Sequence, residues 1–202
     1  MLIFIFFLAI FSKNSLQAKN DVLFLKMHYY IHTEEYSKAH SLISRINVKQ
    51  WTSREKAELF NTIGFINYKM NNYDEALKYY YLALKFDPEL SYVNNNIGII
   101  FYSLNQYKKA KTYFLKAYSL QKKYPKVLFN LCLTDFILRD YKNSFKWFRK
   151  AVGCDEKYVR ERFNEEKALT KLDRLMREHP EDQQLKKIYR WAMKDGNFRK
   201  LF

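Results

Sequence analysis

Few groups in this sequence could do chemistry, and they do not converge. Its four histidines are His28, His32, His40 and His179. His28 and His32 stand four residues apart in a segment of helical pattern, so they share a face. Two such imidazoles, joined by Glu35, could begin a zinc site. A closed zinc site takes about four ligands, and no cysteine is near, so the plainer reading is two polar histidines on a first helix. Cys132 and Cys154, the only two cysteines, form no CxxC pair and cannot make a disulfide framework. There is no Gly-rich phosphate loop, no GxSxG elbow and no HExxH. The sequence therefore predicts a chain that is not an enzyme, with no metal, no cofactor and no small-molecule substrate.

The elements that would carry any function are helical. Only 4 Gly and 3 Pro occur in 202 residues, against 17 Tyr and 17 Phe. That composition disfavours the many tight turns of a sandwich or barrel and demands a core for large rings. The helices repeat. Tyr73, Tyr107 and Tyr141 are 34 apart in turn, as are Gly64, Gly98 and Cys132, then Tyr80, Phe114 and Phe148, and then Ala83, Ala117 and Ala151. Several independent positions sharing one period imply a stack of helical hairpins. Small residues let two helices approach, large rings fill the gaps between them, and neighbouring hairpins share a core that none could bury alone.

This pattern resembles the tetratricopeptide repeat, a 34-residue helix–turn–helix. In 57–90, Phe60 stands where that family has Trp, followed by Ile63-Gly64, Ala76, Tyr80, Ala83 and Pro88. The unit 91–124 carries Ile97-Gly98, Phe101, Ala110, Phe114 and Ala117. The unit 125–158 is more degenerate, with Leu131-Cys132, Ser144, Phe148 and Ala151. An earlier unit, near 20–56, starts its second helix at Glu-Tyr-Ser-Lys-Ala (35–39); Tyr36 lies 37 residues before Tyr73, so about three extra residues sit between Ile46 and Arg54. Beyond 158, Val159, Phe163, Leu169, Leu172, Leu175 and Met176 predict one longer helix over 159–180, and Leu185 to Met193 another, ending near Gly196. The expected fold is all-α: an α–α superhelix, a tetratricopeptide-like solenoid over 20–158, closed by capping helices or a partial repeat over 159–202.

The resemblance implies that the first helix of each unit lines a concave groove for an extended or helical segment of a partner, a peptide or a subunit of a complex. The residues at those positions are Asn61, Tyr68, Tyr92, Asn95, Asn96, Tyr102, Lys126 and Asn130, with Phe65, Ile99, Leu133 and Phe136 among them. An Asn amide both donates and accepts, which suits a peptide backbone, and Tyr adds rigid area with a polar tip. One subfamily clamps a C-terminal carboxylate with Lys, Asn and Arg. Asn96 and Lys126 match two of those positions, whereas Asn61, Phe65 and Asn130 replace the others, so chaperone-tail binding is not assigned.

The net charge of +15 is uneven. Residues 91–150 hold 12 Lys and Arg against Asp135 and Asp140 alone. Lys108, Lys109, Lys111, Lys116, Lys142, Lys146, Arg149 and Lys150 fall on second helices, outside the buried stripe, and predict a basic convex face. It is either a solvated face that aids solubility or a contact for an anionic lipid surface or other polyanion. Nucleic acid is set aside, because charge alone gives only sequence-independent attraction. At the start, Leu2 to Phe11 is an unbroken apolar run, too short for a span of about 20 residues, and Ser12 to Ala18 is a polar stretch ending in Ala. That fits a signal peptide over 1–18, cleaved after Ala18, with a membrane anchor over 2–11 as the alternative. The expected setting is export, to the periplasm or envelope of a bacterial-type cell.

Overall fold

A computed structural model describes residues 15–49, 51–165 and 168–193. The apolar run 2–11 and Gly196 lie outside the described residues, and Ser15 to Ala18 form the first turn of a helix. Among the described residues every regular element is helical. In order they are α1 (Ser15–His32), α2 (Tyr36–Ser41), a 3-10 turn (Ile43–Arg45), α3 (Ser53–Lys69), α4 (Tyr73–Phe86), α5 (Ser91–Ser103), α6 (Tyr107–Leu120), α7 (Pro125–Ile137), α8 (Tyr141–Cys154), α9 (Glu156–Glu165), α10 (Ala168–Glu178) and α11 (Gln183–Met193). The class is all-α, built of antiparallel helix pairs in series with further helices at the C-terminal end.

The helix starts follow from local chemistry. Thr52 and Glu55 form a reciprocal capping box at the start of α3. Pro125 opens α7, where its missing N–H costs nothing. Asp140 accepts from the Asn143 N–H at the start of α8, and Asp182 accepts from the N–H groups of Gln184 and Leu185 at the start of α11. The turns inside the hairpins share one geometry. Glu34, Asn71, Asn105 and Arg139 all have φ near +60°, and each is followed by a backbone bond that reaches back five residues: Glu35 N to Tyr30 O, Asn72 N to Asn67 O, Gln106 N to Phe101 O, and Asp140 N to Asp135 O. This is the left-handed helix stop. Asn tolerates it well, whereas Glu34 and Arg139 do so at a cost.

The chain divides into two compact units, one ending at Asn96 and one beginning at Ile97. In the first, α1, α2 and α3 enclose Leu23, Met27, Ala39, Leu42, Trp51, Leu59, Ile63 and Ile66. Asn20 anchors the connection into α3, because its buried amide bonds both the carbonyl and the N–H of Asn47. The pair α3–α4 closes over Gly64, where an added Cβ would stand 2.7 Å from the Tyr80 ring. Ala76 and Ala83 flank that ring and are fully buried.

In the second unit the same contact recurs. A Cβ on Gly98 would stand 2.5 Å from the Phe114 ring, between Ala110 and Ala117, both fully buried. The next copy changes chemistry while keeping burial. Cys132 replaces the glycine and Ser144 the alanine, with the two side-chain heteroatoms 3.6 Å apart and the Ser144 hydroxyl donating to the Cys132 carbonyl. Both cysteines are free. Burial pushes the Cys132 thiol up to about 12, so it acts as a packing group. The stripe expected over 159–180 is carried by α9 and α10, with 166–167 outside the described residues; Val159, Phe163 and Leu172 are buried. The helix ends at Glu178, before His179-Pro180. Leu185 and Ile188 then dock α11 against this core, where it packs on both α8 and α10.

Candidate protein-binding face

Which side of each first helix reaches solvent follows from burial along the helix. On α5, Ser91, Val93, Asn94, Asn95, Ile97, Gly98 and Ile100 are buried, while Tyr92, Asn96, Ile99, Phe101 and Tyr102 are half-buried and Ser103 is exposed. Tyr92, Asn96, Ile99 and Ser103 are spaced i, i+4, i+7 and i+11 and form one stripe. The α5 spacing recurs on α7 as Lys126, Asn130, Leu133 and Ile137, while on α3 the accessible residues Glu58, Asn61, Phe65 and Tyr68 are spaced i, i+3, i+7 and i+10.

In the first unit, two bonds tie the stripe of α3 to the start of α5. The Tyr92 hydroxyl donates to Glu58 Oε1 at 2.6 Å, and the Asn96 amide donates to Asn61 Oδ1 at 3.2 Å. Burial, and then the hydrogen bond to the Glu58 carboxylate, hold the Tyr92 phenol well above its ordinary range. It therefore stays a donor through the physiological range, and Glu58 is left with a second oxygen that can only accept. Phe65 lies beside Tyr36, with ring centres 6.5 Å apart, and Tyr68 beside Tyr73 at 6.0 Å. The face thus alternates acceptor, amide pair and ring. Phe60, on the other side of α3, stacks on Tyr79 and Phe86 and belongs to the packing.

In the second unit, Tyr102 packs edge-on against Tyr107 at 5.3 Å, Lys126 is exposed, and Asn130 is half-buried beside Leu133. Two expectations are corrected. Asn95 is only 2% exposed. With Ser91 and Gly98 it forms the i, i+4, i+7 stripe turned into the protein, so it is no groove contact. Glu58 belongs to the face instead, and the interval that aligned the repeats could have found it: Glu58, Tyr92 and Lys126 are 34 apart in turn.

The second correction concerns Lys111. Its Nζ lies 2.5 Å from Oδ1 of the fully buried Asp135 and 3.7 Å from Asp140, so it is an internal tie and no part of a basic surface. The other Asp135 oxygen accepts from the Trp147 indole N–H at 3.1 Å. Lys108, Lys109, Lys116, Lys142, Lys146, Arg149 and Lys150 are exposed. Several of them lie over rings: Lys109 over Phe101, Lys116 over Tyr113, and Lys150 over both Tyr118 and Trp147. Lys150 also donates to the Tyr118 hydroxyl, which lowers that phenol's pKa.

His28 packs edge-on against Phe24, and its pKa is lowered, first by burial and against the pull of Glu58. Among the described residues no group of three or more His, Cys, Asp or Glu could hold a metal ion, and no helix is long and apolar enough to cross a membrane.

Comparison with known proteins agrees with this architecture. Tetratricopeptide repeat families match residues 57–90 and 91–124. No curated protein matches. Among solved structures, MamA superposes with a TM-score of 0.61 at 15% identity, over 76% of this chain and 86% of that one. YrrB, described as a tetratricopeptide-repeat protein with an unusual peptide-binding site, gives 0.57 at 14% identity, over 69% of this chain and 71% of that one. The first such domain of Spaghetti (RPAP3), bound to the HSP90 peptide SRMEEVD, gives 0.51 at 16% identity, over 71% of this chain and 94% of that one. At these identities the likeness is one of fold. The family matches place two tetratricopeptide repeats at 57–90 and 91–124, and the hairpin geometry there agrees with them.

Proposed function

We propose that the chain is a non-catalytic adaptor that holds an extended or helical segment of another protein on the face made by α3 and the start of α5. The observation that carries this reading is the pair of cross-helix bonds, Tyr92 to Glu58 and Asn96 to Asn61. They fix polar groups in place before a guest arrives, which lowers the ordering cost of binding. Each amide has two donors and two lone pairs, so the Asn pair keeps an acceptor on Asn96 and a donor on Asn61 for a guest backbone. Phe65 and Tyr68 supply rigid apolar area beside them. Two relatives in fold are described by their peptide sites, which favours the same use here.

Photo-crosslinking from Phe65 should recover a protein partner. Tyr92→Ala with Asn96→Ala should weaken that capture about tenfold or more, as loss of one charge-assisted bond and one amide contact predicts, while the melting temperature stays within a few degrees. Full retention of every partner in the double variant would sink the proposal.

We further propose that the protein is exported, with residues 1–18 removed. The apolar run 2–11 and the polar stretch ending in Ala18 support this. N-terminal sequencing of the native protein should read Lys19 first. A native chain beginning at Met1 in the cytosolic fraction would count against both export and cleavage.

A further inference from the structure

The second unit has a cleft of about 550 Å3 between α8 and α11. One wall is Lys142, Lys146, Arg149 and Lys150 of α8; the other is Gln184 and Lys187 of α11; Phe145 forms part of the floor. All five cations are exposed, and among the described residues no acidic side chain lines the space. Lys187 reaches across to the Phe145 ring, 5.5 Å from its centre, so the opposed helix brings its charge toward those of α8.

Elsewhere in the same unit the protein gives cations partners. Arg160 pairs with Glu156 on α9, Arg177 pairs with Asp173 on α10, and Lys111 with Asp135 and Asp140. α8 has no carboxylate anywhere along its length. Like charges gathered on two packed helices repel, and among the described lining residues none is a counter-charge. An external anion would remove that repulsion.

We propose that this cleft is a binding site for a compact anion carrying two or more phosphate groups. The volume lies within the roughly 300–1,000 Å3 of small-ligand sites. A singly charged anion would leave most of the five cations facing one another. A phosphate group brings up to about two negative charges and three acceptor oxygens, so two or three of them match the five cations in so small a space. An Asp or Glu run brings one charge per residue on an apolar stem and fills the cleft before balancing it. Arg149 can grip one phosphate through two parallel N–H bonds, the lysines act as point charges around it, and Gln184 offers a neutral donor. The same chemistry is found in a soluble polyphosphorylated molecule and in a multiply phosphorylated lipid headgroup. The site lies on the side of α8 that meets α11, and the proposal stands apart from the peptide-binding reading of α3 and α5.

The full chain is titrated with sodium tripolyphosphate at fixed ionic strength, with sulfate as the matched simple anion, and read by calorimetry and thermal melting. Tripolyphosphate should bind and raise the melting temperature, and sulfate should do neither. Arg149→Glu with Lys187→Glu should weaken binding about tenfold or more. Lys108→Glu with Lys109→Glu, the same charge change on α6 away from the cleft, should leave it nearly unchanged. Equal loss in both variants, or tripolyphosphate no better than sulfate, overturns the proposal. Vesicles containing a bisphosphorylated inositol lipid, set against phosphatidylserine vesicles of equal surface charge, separate the sources: selective capture assigns the headgroup, and binding of tripolyphosphate alone assigns a soluble ligand. Variants that melt as the parent does without ligand keep the comparison clean.

Discussion

Lys111→Met should cost the second unit about 3 kcal/mol and lower its melting temperature by roughly 6–12 °C. The substitution keeps the apolar stem and removes the ammonium. What it leaves behind is the Asp135 carboxylate, fully buried, with the Trp147 indole N–H donating to its second oxygen. A buried charge stripped of its partner is among the more expensive defects a fold can carry, and only part of that cost can be recovered by water entering where Lys111 is partly exposed. Lys111→Arg should keep most of the stability, and Lys111→Met with Asp135→Asn should recover much of the loss, since the amide can still accept from Trp147. Thermal melts followed by circular dichroism and by Trp147 fluorescence check this. A Lys111→Met melting temperature within about a degree of the parent would mean that solvent already carries the Asp135 charge.

The second large effect has a sign that ordinary propensity gets wrong. Ala is preferred to Gly inside a helix by about 1 kcal/mol. At Gly98, however, a methyl group would meet the Phe114 ring at 2.5 Å, and at Gly64 the Tyr80 ring at 2.7 Å. Neither ring can retreat, because Phe114 and Tyr80 are each only 1% exposed and small residues already crowd both sides. Gly98→Ala and Gly64→Ala should each destabilise by about 1–3 kcal/mol, as overpacked cores do. Gly153, with nothing within 4 Å of its added Cβ, is the control: Gly153→Ala should stabilise by a few tenths to about 1 kcal/mol. Urea melts of the three variants separate the effects. If all three shift the same way, helix propensity and not ring contact governs these positions.

The repeat was legible because it is written at several depths at once: a turn tyrosine, a close-approach residue, a ring and an alanine each recur at one interval, and all of them end up where that interval puts them. The interval was less informative about sides. It places Asn61 and Asn95 at the same level of successive hairpins, yet Asn61 is half-buried on an accessible stripe and Asn95 is sealed, since what covers a helix depends on its neighbours and not on its own period. Lys111 misled for a different reason. Its position on α6 is outward, but a lysine stem is long enough to carry its charge back to Asp135. Nothing near Asp135 in the sequence shows that Lys111 and Trp147, 24 residues before and 12 after it, would converge on one carboxylate. The basic cleft was half visible: four of its cations lie on α8 in plain view, and the fifth depends on how α11 folds back.

The left-handed stops at Glu34, Asn71, Asn105 and Arg139 have a consequence for how such a chain can change length over time. Each stop joins two helices through a turn with no slack, since the bond that reaches back five residues closes only if the count is right. An inserted residue there would rotate the second helix by about 100° and turn its alanines out of the core. The connections between hairpins carry no such lock. Among these four stops the departure from the period falls there: 37 residues separate Glu34 from Asn71, and 34 separate the later stops. The surplus falls between the short 3-10 turn and Thr52. Drift in length is thus steered to the seams between hairpins, while the bends within them keep time.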